Sequence, residues 1–133
     1  MSPLRRLFTF IFVLATTAAA PAVEVKSVTP QDAAKLVAEG KAVLVDVREP
    51  PEWKDSGVAA PAILLPMSDF NGEQKQWKGF LAKNRDKQIL LYCRSGGRSS
   101  AVASALAEKG VNVANVGTLR DWTKAGLPVR QVE

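Results

Sequence analysis

The chain has 133 residues, with 18 Lys and Arg against 13 Asp and Glu, a formal net charge of +5. At 47% hydrophobic and 23% charged it has the composition of a globular protein, and its length accommodates one domain. There is no His and a single Cys, Cys93, which excludes a Ser-His-Asp triad, a Cys-His ion pair, a His-ligated zinc, an internal disulfide and a CxxC redox pair.

Residues 1–22 place Arg5 and Arg6 ahead of an apolar run, Leu7 to Ala15, followed by small residues. This is the layout of a secretory signal. Its apolar run is shorter than the roughly 20 residues a membrane span needs. Cleavage is expected after Ala22, because a cut after Ala20 would put Pro21 just past the scissile bond. The expectation is an exported, periplasmic domain over residues 23–133, with no membrane contact once the leader is removed. Setting Arg5 and Arg6 aside leaves a milder and dispersed positive excess, which argues against nucleic acid as a partner and leaves small anions plausible.

Thr29 before Pro30 predicts a helix start, Ala33, Leu36 and Val37 form its apolar stripe, and Gly40 stops it. Val43 to Val47 reads as a strand buried on both faces, with Asp46 and Arg48 near its end. Pro50 and Pro51 predict a turn into Glu52 and Trp53. Ala62 to Leu65 is a second short strand, and the spacing of Trp77, Phe80 and Leu81 predicts one amphipathic helix over Asp69 to Asn84. A further buried strand, Gln88 to Tyr92, runs straight into Cys93-Arg94-Ser95-Gly96-Gly97-Arg98-Ser99. Ala101, Val102, Ala105 and Leu106 then recur at helical spacing up to Gly110, Val111 to Val116 supplies a strand, and Leu119 to Ala125 a last helix. Strands alternating with helices predict an α/β fold with a mostly parallel central sheet of about five strands and helices on both faces.

The Cys93 loop is the place where chemistry concentrates. Ligands of open α/β sheets bind outside the carboxyl ends of the strands, where this loop lies. Gly96 and Gly97 let it curl with backbone N–H groups pointing inward, a helix begins near Ser99, and Arg94 and Arg98 add positive charge. Each of these favours thiolate over thiol, so the loop replaces the missing histidine as activator. The alternative, a buried spectator cysteine, does not require Gly-Gly, two arginines and a helix start around it.

These residues resemble the rhodanese family of single-domain sulfurtransferases, through three separated motifs in family order. Asp46-Val47-Arg48-Glu49-Pro50 with Glu52-Trp53 is similar to the family's D-V-R-E segment, Cys93 to Ser99 to its active-site loop, and Gly117, Trp122 and Ala125-Gly126-Leu127-Pro128-Val129 to its closing pattern. Together they cover roughly residues 27 to 130. The family's G-H-I-x-G-A stretch is here Ser56-Gly57-Val58-Ala59-Ala60-Pro61-Ala62, without the His, and its closing Gly-Gly is Val116-Gly117. The resemblance implies sulfur transfer by a persulfide on Cys93, from an anionic donor such as thiosulfate to a thiol or cyanide. It implies donor binding by residues 94–99 (Arg94, Ser95, Gly96, Gly97, Arg98, Ser99) and a bracing of that loop by Asp46 and Arg48. It implies no cofactor and no metal, and a monomer is expected, with a periplasmic protein partner possible. Two rivals stand beside it: a rhodanese-like carrier, sensor or binding module with little turnover, and a C-x5-R phosphatase or arsenate reductase. The last needs Arg where this chain has Ser99; the arginine falls one position earlier.

Overall fold

The computed structural model describes residues 11, 13, 15, 16 and 23–133; those four positions apart, the leader segment and its cut after Ala22 lie outside the described residues. In chain order the elements are β1 (Lys26–Ser27), α1 (Pro30–Ala38), β2 (Ala42–Asp46), α2 (Pro50–Ser56), β3 (Val58–Ala59), β4 (Ile63–Leu64) and α3 (Met67–Asn71). There follow α4 (Trp77–Lys83), β5 (Gln88–Cys93), α5 (Gly97–Glu108), β6 (Val113–Thr118), α6 (Leu119–Lys124) and β7 (Val129–Arg130). Five strands form one sheet in the order β1-β6-β5-β2-β4, every neighbouring pair parallel. The predicted sheet is therefore present, and β3 and β7 add a small antiparallel ribbon outside it.

Both faces of the central strands are covered, which explains their near-continuous apolar sequence. Val45, Val47, Ile89, Leu91 and Cys93 point to one face, under Val102, Ala103 and Leu106 of α5 and beside Phe70 and Trp77. Leu44, Leu90, Tyr92 and Ala114 point to the other, under Ala33 of α1 and Trp122 of α6. Thr29 caps α1 as predicted, its hydroxyl accepting the Asp32 N–H at 3.2 Å.

Three local expectations are corrected. Pro50 and Pro51 open a helix, α2, rather than a turn; their fixed φ suits a first helical turn, and the Glu52 carboxylate accepts the Glu49 N–H at 2.9 Å to start it. The single helix over Asp69 to Asn84 is two, α3 and α4. The Asp69 carboxylate accepts the N–H groups of Lys75, Gln76 and Trp77, so it caps α4 instead of continuing into it, and Gln74 between them takes a positive φ of 54°. The strand expected from Val111 begins at Val113, because the Val111 N–H closes the end of α5 on the Leu106 carbonyl.

Candidate active site

Cys93 ends β5 and is wholly buried. The chain then turns through Arg94 and Ser95 to Gly96, whose φ of +89° is the left-handed conformation that glycine supplies, and α5 begins at Gly97. That turn curls the backbone around the sulfur. The Gly96 N–H donates to Sγ at 3.0 Å, the Ser99 N–H donates at 3.4 Å, and the Ser99 hydroxyl lies 3.4 Å away. Burial pushes the Cys93 thiol up. The Ser99 hydroxyl and the N–H groups of Ser99, Gly96 and Ser95 outweigh it, and the thiol sits below its ordinary range. The expected cradle of inward N–H groups is thus present, built by Ser95, Gly96 and Ser99.

The two arginines of the loop part company. Arg94 is exposed and faces a cleft of about 550 Å³ bordered by Glu52, Asp55, Leu119 and Arg120, with Arg48 at its edge. Thr118 pairs with Cys93 across the sheet, which brings the next residues, Leu119 and Arg120, to the same end of the sheet as the cradle. Arg98 turns instead to α2, where its two terminal nitrogens bond the two Glu52 oxygens at 2.7 and 2.6 Å. This fork holds the Glu52 carboxyl down to about 2. Expected as a donor-binding residue, Arg98 is a clamp between α2 and the first turn of α5, because the helix at Pro50 brings Glu52 within its reach.

Asp46 and Arg48 are both buried and closed on each other. Arg48 donates to the Asp46 carboxylate from its backbone N, Nε and Nη2 at 2.8 to 3.1 Å, and the Trp53 indole adds a bond of 3.1 Å. The remaining Arg48 donors go to Ser56 Oγ at 2.7 Å and the Gly57 carbonyl at 2.8 Å. Their bonds therefore secure the middle and the C-terminal end of α2 rather than the cysteine loop itself. Bracing of the loop is indirect, through Glu52 and Arg98.

Two contributors escaped the sequence reading. Asn115 of β6 lies on the α5 face, two residues along from Val113, and its Oδ1 accepts the Ser99 hydroxyl at 2.8 Å and the Gly117 N–H at 3.1 Å. An amide at the alternating position shared with Val111 and Val113 was the available signal, since a part-buried amide needs partners. Arg120 had none, being one exposed cation among several. Among the described residues no group of three His, Cys, Asp or Glu converges to hold a metal.

The sequence model of the Rhodanese-like domain matches residues 29–125. The chain belongs to the rhodanese-like domain family. Among curated relatives, it is 33% identical over 104 residues to the protein slr1261 of Synechocystis, covering 77% of this chain but 54% of that one. It is 34% identical over 89 residues to a sulfurtransferase of Allochromatium vinosum, covering 65% of this chain and 77% of the relative. Among solved structures, a rhodanese-related protein of Thermoplasma volcanium superposes with a TM-score of 0.66 at 29% identity, covering 80% of this chain and 99% of its own. A Rhodopseudomonas palustris protein described as a possible tyrosine phosphatase also superposes at 0.66, with 25% identity, covering 80% and 85%.

Proposed function

We propose that this rhodanese-like protein is a sulfurtransferase that carries sulfane sulfur as a persulfide on Cys93. The observation that carries the reading is the convergence of the Gly96 N–H, the Ser99 N–H and the Ser99 hydroxyl on one sulfur. The Cys93 thiolate attacks the outer sulfur of a donor such as thiosulfate; a Cys93 S–S bond forms, the donor S–S bond breaks, and sulfite leaves with that electron pair. The persulfide anion is held by donors already in place, which costs no reorganisation and needs no base. Cyanide or a thiolate then bonds the outer sulfur, and the pair returning to Cys93 restores the thiolate. Arg94, with Arg120 across the cleft, draws the anionic donor in, while Ser95, Gly96 and Ser99 hold the sulfur and Gly97 starts the helix behind them.

The sulfurtransferase name carried by the Allochromatium relative supports the same class. Phosphate chemistry is disfavoured because it needs a free guanidinium over the loop, and Arg98 is both one position short and bound to Glu52. Complete burial of Cys93 favours a second reading, a sulfur carrier or sensor with slow turnover. Export with a cut after Ala22 belongs to the proposal and is checked by the mass of the mature N-terminus.

Intact mass spectrometry after exposure to thiosulfate tests the reading. The expected result is a gain of one sulfur atom on the protein, absent in Cys93→Ser, which also loses all thiosulfate-to-cyanide transfer while keeping its fold. A gain of sulfur without turnover selects the carrier. No gain, or turnover surviving in Cys93→Ser, overturns both.

A further inference from the structure

The hydrogen positions around Cys93 follow from valence. The Gly117 N–H can only donate, and it meets Asn115 at 3.1 Å, so the oxygen of that amide, not its nitrogen, faces the loop. Oδ1 in turn can only accept, and it lies 2.8 Å from the Ser99 oxygen, the shortest contact that hydroxyl makes. The Gly96 carbonyl at 3.2 Å and Cys93 Sγ at 3.4 Å are the other acceptors in reach. A serine has one proton to give. Given to Asn115, it leaves the Ser99 oxygen facing the sulfur with lone pairs alone, a partner suited to a thiol S–H and unsuited to a thiolate.

An anionic sulfur reverses that preference, since a charge-assisted bond is about twice as strong as a neutral one. We infer that Asn115 is a positioning residue that competes with Cys93 for the Ser99 proton, holding it while the sulfur is a thiol and yielding it when the sulfur becomes a thiolate or persulfide anion. The backbone around this exchange is already shaped for it. Leu91 pairs with Asn115 but Tyr92 pairs with Gly117, so Val116 is an inserted residue, and the resulting bulge aims the Gly117 N–H back at Asn115. When the Ser99 proton leaves, Oδ1 keeps that N–H, and no buried acceptor is stranded.

The other charged and titratable groups around the sulfur come from every neighbouring element. They are Arg98 on α5 with Glu52 on α2, the closed pair of Asp46 at the end of β2 and Arg48 just after it, Tyr92 on β5, Arg94 in the loop, and Arg120 and Asp121 on α6. None of them bonds Asn115, so a change there reads the Ser99 proton.

This inference rests on the sulfur-transfer reading for its purpose, and its test does not depend on turnover. With one Cys in the chain, the ultraviolet absorbance of thiolate, corrected against Cys93→Ser, gives the ionisation midpoint of Cys93 directly. Asn115→Ala frees the proton for the sulfur and is expected to lower that midpoint by about half to one pH unit, one net hydrogen bond's worth. In a Ser99→Ala background the same change is expected to have no effect. Asn115→Asp preserves both accepted bonds, and with them the fold, and is expected to raise the midpoint, by less when Ser99 is Ala. Shifts of equal size with and without the Ser99 hydroxyl overturn the inference, as does an unmoved midpoint in either variant. Sulfur gain from thiosulfate, measured on the same samples, reports separately on the persulfide reading.

Discussion

Asp46 is wholly buried, and four N–H donors, three from Arg48 and one from Trp53, surround its carboxylate. Such a pair is worth little against an apolar substitute, but breaking it leaves an uncompensated buried charge. Arg48→Met is therefore expected to lose about 3–5 kcal/mol in urea unfolding. Glu52 and Arg98 make a different case, since both are partly exposed and their bond is a clamp at the site's rim. The Arg98 guanidinium holds the Glu52 carboxyl down to about 2, from an ordinary value of 4.5. A depressed carboxyl stabilises the fold fully above its unfolded value and loses that contribution as pH falls through the folded one. The unfolding temperature should consequently drop between about pH 4.5 and pH 2, and Glu52→Gln should flatten that part of the profile, reading lower than the parent at neutral pH.

Among the elements, α2 governs the site. It presents Glu52 to Arg98, lends Trp53 to Asp46, and ends at Gly57, where φ is 73° and ψ is −174°. Only glycine adopts that region readily, and a Cβ there would sit 2.7 Å from the Arg130 carbonyl oxygen of β7. Gly57→Ala is expected to cost about 1–3 kcal/mol by thermal unfolding and to slow sulfur loading by loosening the wall that carries Glu52. The strands β2 and β5 and the cysteine turn were legible in the sequence, because an apolar run ending in Cys-Arg-Ser-Gly-Gly has few local alternatives. What was not legible depends on distant partners. The two-residue strands β1, β3 and β7 exist only through pairing with β6 or with each other. The Pro50-Pro51 pair suits a helix start as well as the turn that was expected, and the Glu52 bond to Arg98 spans 46 positions of chain. The role of Asn115 needed α5 laid over its face of the sheet, which brings Ser99 to its amide oxygen.

At the scale of the molecule, Asp46 at the end of β2, Cys93 at the end of β5 and Thr118 at the end of β6 all leave the parallel sheet on one side, where helix starts and glycines also gather. Protection should grade away from the sheet's centre. Amide exchange is expected to be slowest at Val45, Leu90 and Leu91, which have no exposed surface and paired neighbours on both sides, and fastest among the strands in β3 and β7, with the edge strand β4 between. Equal protection across all seven strands would mean that the small ribbon opens only with the whole domain.

The burial of Cys93 has a consequence for a protein with one thiol. A disulfide needs the Cβ atoms of its two cysteines about 3.5–4.5 Å apart. With the sulfur enclosed by its own loop, β6 and α5, a second copy of the chain cannot bring its equally buried Cys93 that close. Crosslinking into dimers and mixed disulfides with bulky proteins are disfavoured by that burial, and the proposed sulfur loading calls for a small donor. The enclosure thus acts as a size filter on oxidation: it shields the thiol from the pairing that an oxidising surrounding imposes on accessible cysteines, and under the proposed function it restricts sulfur loading to small donors.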